Sequence, residues 1–264
     1  MRCTLLCLLA LSLPAVRAQD VPPAPAPEPA SQLVALNQTV LALLQRQADT
    51  QGGVERLAKL RTVDFRLDLA KHVDGAFVAE PPMLVTLERG APPLRARIQD
   101  QLEGRSLVKL AEGETLRLFV DGAATTLPDL LNGARAELRL LRETVETVVA
   151  LGLGNMGVRD EGQRKRDGKV YHCLSVRLNE FGTGRALLAF LDPATGLVAR
   201  VDTFDPTTGL RVQTARFGGY PEGAGPKLPS EVTFFDREDK PLSRWSFAAV
   251  RFDPELPAKH FDAP

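Results

Sequence analysis

From Thr62 onward the chain alternates, with Val63, Phe65, Leu67 and Leu69 on one face and Asp64, Arg66 and Asp68 on the other. A period of two with one apolar face is that of a half-buried antiparallel strand. Met83-Val85-Leu87, Leu94-Ala96-Ile98 and Leu116-Leu118-Val120 repeat it, punctuated by Glu88-Arg-Gly-Ala-Pro-Pro93 and by Asp121-Gly122, a pair suited to a tight hairpin. Strands return over Val170–Leu178, Arg185–Asp192, Leu197–Phe204, Leu210–Phe217, Ser230–Asp236 and Ser243–Phe252. Two joints of this second set, Asp192-Pro-Ala-Thr-Gly196 and Asp205-Pro-Thr-Thr-Gly209, are copies of D-P-x-T-G thirteen residues apart. Proline suits the early position of a type I turn and glycine supplies positive φ at its end, so three consecutive strands form a meander.

Two stretches follow the helical period instead. Leu33, Val34, Leu36, Val40, Leu41, Leu43 and Leu44 recur over a polar face of Asn37, Gln38, Gln45 and Arg46, with Ser31 placed to cap the start. Gly52-Gly53 breaks that helix, and a short second one carrying Val54, Leu57 and Leu60 leads into the first strand. In mid-chain, between Asn132 and Gly152, Leu138, Leu141, Val145, Val148 and Leu151 form a stripe, while Arg139, Arg142, Glu143 and Glu146 lie mostly opposite it. About ten short strands with such insertions predict a mainly β fold: an antiparallel, strongly curved sheet forming an unclosed β-barrel, covered by an N-terminal and a mid-chain helix.

The first thirty residues stand outside this pattern. Met1–Ala18 has a basic start at Arg2, an apolar run from Leu5 to Leu13 and small residues at Val16 and Ala18, which reads as a signal peptide cleaved before Gln19. The apolar run falls short of the roughly 20 residues that span a bilayer, and no later segment reaches that length. Cys3 and Cys7 lie in the leader without a lipidation box. The mature chain is therefore expected to be secreted, without a transmembrane segment, and monomeric. Residues 19–30 are a Pro-rich solvated spacer, and 31–264 are expected to form a single domain.

Charge narrows the partners. Lys and Arg number 33 and Asp and Glu 33, and loss of Arg2 and Arg17 with the leader leaves a net charge of −2. Such a chain has no basic field for nucleic acid. Arg159–Lys169 is dense in charge but lacks interleaved aromatics, and is read as a solvated hairpin loop. Cys173 remains alone in the mature chain, so no internal disulfide forms. His172 beside it points to the opposite strand face and cannot activate it. Gly152-Leu-Gly154-Asn-Met-Gly157 matches G-x-G-x-x-G, yet a helix precedes it where a nucleotide-binding unit needs a strand. With three His, no metal-ligand spacing and no nucleophile motif, the reading is a non-enzymatic protein without cofactor or metal.

The apolar content, 44% with one Trp and two Tyr, then has two destinations. It forms either a full core of helices packed on the sheet, which suits an envelope protein-protein interaction module, or the lining of a cavity that an aliphatic ligand fills.

The run Gly52-Gly-Val-Glu-Arg-Leu-Ala-Lys-Leu-Arg-Thr-Val-Asp-Phe65 from helix into first strand, the mid-chain helix, the D-P-x-T-G hairpins and the closing Lys227-Leu-Pro-Ser-Glu-Val-Thr-Phe-Phe-Asp236 resemble the LolA/LolB-like superfamily of periplasmic outer-membrane lipoprotein carriers and receptors. The resemblance implies helices lidding an apolar cavity that takes acyl chains, a lipid or lipoprotein as cargo, an envelope protein as a further partner, and the periplasm of a Gram-negative bacterium. Cavity-lining candidates are then Phe65, Leu67, Leu69, Met83, Val85, Leu87, Leu94, Ile98, Leu116, Leu118, Leu138, Leu141, Val145 and Val148. The family holds its lid with an arginine from an early strand, a role that Arg95 or Arg97 could fill.

Overall fold

The structure, a computed structural model, describes residues 38–89, 94–151, 157–177, 186–223 and 225–264. The N-terminal helix is described from α1 (Gln38–Thr50) onward, and α2 (Val54–Lys59) leads into β1 (Thr62–Val73). The expected leader, spacer and Ser31 cap lie outside the described residues.

Strands β2 (Ala76–Ala79), β3 (Met83–Glu88), β4 (Arg95–Leu102), β5 (Arg105–Glu112), β6 (Thr115–Val120) and β7 (Ala123–Thr125) precede α3 (Pro128–Ala150). After it come β8 (Gly157–Arg166), β9 (Lys169–Arg177), β10 (Ala186–Leu191), β11 (Val198–Phe204), β12 (Arg211–Gly218), β13 (Glu231–Asp236) and β14 (Pro241–Phe252). All belong to one antiparallel sheet of order β7-β6-β5-β4-β3-β1-β14-β13-β12-β11-β10-β9-β8, with β2 paired to the outer end of β1. The first and last long strands therefore meet in the middle, and two meanders run outward from them.

Among the described residues β7 and β8 end the sheet without pairing to each other, so the barrel is open as the alternation predicted. The connection between these two edges is made by α3, whose 23 residues reach about 35 Å. Pro128 at its first turn fits a position whose N–H needs no intrahelical partner, which sets the start four residues before Asn132. Hairpins at Asp74-Gly75, Glu103-Gly104, Asp121-Gly122 and Asp167-Gly168 have positive φ at both residues, the twist-matched two-residue turn.

Three sequence expectations change. The charged stretch read as a loop, Arg159–Lys169, is mostly β8, the sheet's edge strand. It pairs on one side only and needs no apolar face, and its charges blunt the free edge. Strand β5 carries five consecutive buried residues, Leu107 to Ala111, so the alternation that marks a strand is hidden there. The polar side of the mid-chain helix is not solvated at its C-terminal end: Arg142, Glu143, Thr144 and Thr147 are buried together with Leu141, Val145, Val148 and Val149. This half of α3 is enclosed on all sides.

The core lies on the helix-covered face. Cross-strand rows Phe65–Val85–Ile98, Leu67–Met83 and Val63–Leu87–Ala96 pack under α3, and Leu228, Val232, Phe234, Trp245 and Phe247 continue the cluster past β1. Helix α1 covers the other half of the sheet, setting Val40, Leu43 and Leu44 on Leu174, Leu187, Ala189, Leu191, Val198 and Val201. Each buried aliphatic side chain in these two clusters contributes roughly 1.5–3 kcal/mol. Cys173 is buried among Leu188 and Phe190, with Tyr171 and Phe204 packed against them, and burial pushes its thiol pKa up. It is a packed side chain rather than a reactive thiolate.

Candidate functional site: the inner sheet face under helix α3

The inner face of β1, β3, β4, β5 and β6 with the stripe of α3 brings together most of the candidates drawn from the sequence. Phe65, Leu67, Met83, Val85, Leu87, Ile98, Leu141, Val145 and Val148 belong to one buried cluster, against which Leu69, Leu116 and Leu138 are packed. Leu94 and Leu118 are buried as well. Because successive residues alternate faces, the strand register alone delivers these side chains to one surface. Val63, Leu67, Val85, Leu141, Val145 and Val149 have 0% exposure, so α3 and the sheet touch directly at these positions.

Charged side chains fasten the helix within this apolar seam. Lys109 shares an inner-face row with Ile98 and Leu118, and is buried. Its ammonium reaches Glu137 of α3 at 2.7 and 2.9 Å and Asp100 of β4 at 3.1 Å. One turn from the other end, the buried Arg89 guanidinium donates in bidentate fashion to Glu146 at 2.8 and 3.0 Å. Arg142 donates to the Leu94 carbonyl at 3.0 Å. The C-terminal turn of α3 is also tied to α1, where the amide of Gln47 donates to the Val148 carbonyl at 3.0 Å and that of Gln51 to the same oxygen at 3.3 Å. Gln51 reaches further, donating to the Lys227 carbonyl and accepting from the Lys227 N–H.

Arg95 and Arg97 make their described contacts elsewhere. Arg95 donates to Glu88 through Nε at 2.8 Å and stacks over the Phe261 ring at 4.4 Å; that pairing holds the Glu88 carboxyl below its ordinary pKa. Arg97 donates to the backbone carbonyls of His260 and Asp262 at 3.0 and 3.2 Å. Both face the C-terminal segment on the outer side of the sheet, one strand face away from α3. The basic residues that do touch the helix, Lys109, Arg89 and Arg142, were missed for identifiable reasons. Arg89 sits in what reads as a turn, Lys109 interrupts an apolar run that showed no strand, and Arg142 looked solvent-facing. A lone Lys inside Leu107-Val-Lys-Leu-Ala111 was the one signal available, since a charge at an inward position implies a partner.

Neither a family model nor a curated protein matches the sequence. Solved structures do match. A domain assigned to outer membrane lipoprotein sorting from Vibrio parahaemolyticus aligns over 84% of this chain and 95% of its own, with 12% identity and a TM-score of 0.54. A LolA superfamily protein from Nitrosomonas europaea covers 84% and 96% at 12% identity and a TM-score of 0.55. A DUF1329 family protein from Desulfovibrio piger covers 85% and 97% at 9% identity and a TM-score of 0.56. Coverage of most of both chains at this identity is agreement of architecture alone. The open, helix-plugged antiparallel sheet of this chain is the LolA-like fold.

Proposed function

We propose that the protein is a non-enzymatic periplasmic carrier or sensor that takes the acyl chain of a lipid or lipoprotein against the inner sheet face when α3 lifts. The observation that carries this reading is an apolar sheet face plugged by one helix whose fastenings are charged. Buried ion pairs hold α3 in a single register, yet contribute little beyond an apolar contact of the same size, because each charge regains its hydration on release. An entering chain replaces the apolar contacts that α3 gives up. At about 0.8 kcal/mol per methylene, a chain of about fifteen methylenes offers on the order of 12 kcal/mol toward opening. The leader pattern at residues 1–18 and the architecture shared with a lipoprotein-sorting domain support an envelope location.

A second reading, an envelope protein-protein interaction module with a filled core, is favoured by the absence of exposure at Val63, Leu67, Val85, Leu141 and Val145. Native mass spectrometry of gently purified mature protein, with titration of a fluorescent fatty acid, separates the two. The carrier reading expects co-purified lipid or saturable uptake of the probe. A chain that is lipid-free and also fails to take up the probe supports the interaction module.

A further inference from the structure

The outer face of the sheet carries a dent unrelated to α3. The β1–β14 register slips between Asp64 and Arg66, which lie opposite Arg251 and Ala248, so Ala249 and Val250 bulge against one partner position. Ala249 sits at φ 51°, a left-handed conformation that an alanine adopts only under strain. Bulges and strained backbone concentrate where a sheet re-aims side chains for binding. Here the bulge opens a pocket of about 230 Å³, lined by Asp64, Arg66, Thr86, Arg97, Arg251 and His260 together with Leu84, Gln99, Ala249 and Phe65.

The charges in this pocket do not cancel. Arg251 donates to Asp64 through Nε at 3.0 Å, and Arg66 is held by Asp68 at 2.9 Å. Thr86 donates to Asp64 at 2.8 Å, so its oxygen is left to accept from His260 Nε2 at 3.0 Å. Arg97, whose described hydrogen bonds go to backbone carbonyls, has no carboxylate among them. Among the described residues one guanidinium charge is therefore left over, at a half-buried site where desolvation lowers the Arg97 pKa.

We propose that this pocket binds a small organic carboxylate, its two oxygens facing the Arg97 guanidinium and its short hydrocarbon part lying against Leu84. A monoanion balances the leftover charge, whereas a phosphate dianion would bring a surplus negative charge beside Asp64. The planar guanidinium fork also matches the carboxylate plane.

The test is a ¹⁵N NMR titration of the mature chain with butyrate, the uncharged butyramide and inorganic phosphate. Butyrate is expected to shift the amides of residues 64–66, 97–99 and 249–251 saturably, and butyramide is not. Arg97→Gln should weaken butyrate binding at least tenfold. Gln99→Lys, which adds a positive charge to the pocket lining without removing a proposed contact, should strengthen it severalfold, a gain that misfolding cannot produce. If Arg97→Gln does not fold, Gln99→Lys and Gln99→Glu decide, with opposite signs expected. Equal binding of butyramide, tighter binding of phosphate, or affinity unmoved by these substitutions would overturn the proposal. Butyrate carries no long acyl chain, so failure here leaves the reading of the inner face intact.

Discussion

Replacing Glu146 by leucine is expected to lower the free energy of unfolding by about 3 kcal/mol. Arg89 is 6% exposed in its side chain, and both of its described carboxylate bonds go to Glu146. Removing the acceptor leaves a guanidinium in an apolar seam with its hydration unreplaced, and an unpaired buried charge costs far more than the pair itself contributes. The double replacement Arg89→Met with Glu146→Leu should therefore recover most of the loss, because methionine and leucine can fill the seam without charge. Urea unfolding of the four proteins in this cycle measures both effects. A single-variant cost below about 1 kcal/mol, or a double variant no more stable than the worse single, would show that the pair is a surface ornament instead of a fastening.

The second large effect concerns the repeated turn. Gly196 and Gly209 close two turns of the same sequence pattern, at φ 72° and 67°, and Asp192 and Asp205 accept from the following backbone N–H groups in the same way. Their surroundings differ. A Cβ on Gly196 would lie 2.6 Å from the backbone N of Gln47 and 2.9 Å from the Leu43 carbonyl, whereas a Cβ on Gly209 meets nothing within 4 Å. The first turn is docked under α1, where Thr50 donates to the Thr195 carbonyl at 2.8 Å and Arg46 donates to that of Pro193. Gly209→Ala should cost about 1–2 kcal/mol, the left-handed penalty alone. Gly196→Ala adds displacement of helix backbone and should cost more than about 3 kcal/mol, with faster hydrogen exchange across residues 40–48. Equal costs in the two variants would contradict the docking of α1 on this turn.

These two cases show where sequence reading succeeded and where it stopped. Alternation at Val63–Leu69, Met83–Leu87 and Leu94–Ile98 located the strands and even the buried face, because the apolar positions are buried or, at Leu69, half-buried, while most of the alternate positions keep some exposure, Thr86 excepted. The same logic failed at β5, buried on both sides, and at β8, which is paired on one side only and charged along its length. The stripe Leu138-Leu141-Val145-Val148 identified which face of α3 packs on the sheet, but helical period cannot show that Arg142 and Glu143 are enclosed too. The D-P-x-T-G copies were legible as turns, while the contact that distinguishes Gly196 from Gly209 joins residues 149 positions apart in the chain and leaves no local mark. Lys109 and Arg89 are in the same position, since their partners Glu137 and Glu146 sit 28 and 57 residues away. Arg97 was singled out from the sequence, but a one-residue difference in strand position separates the inner face from the outer, and the C-terminal segment claims it.

Photo-crosslinking of the intact protein with a diazirine-bearing long-chain fatty acid, followed by peptide mapping, tests most directly whether the face beneath α3 receives an acyl chain. Labels are expected on β1, β3 and β4 within residues 63–69, 83–87 and 96–98 and on residues 138–149 of α3, and excess unlabelled fatty acid should compete them away. Labels confined to the outer sheet face, or none above the level of the competed sample, would contradict it.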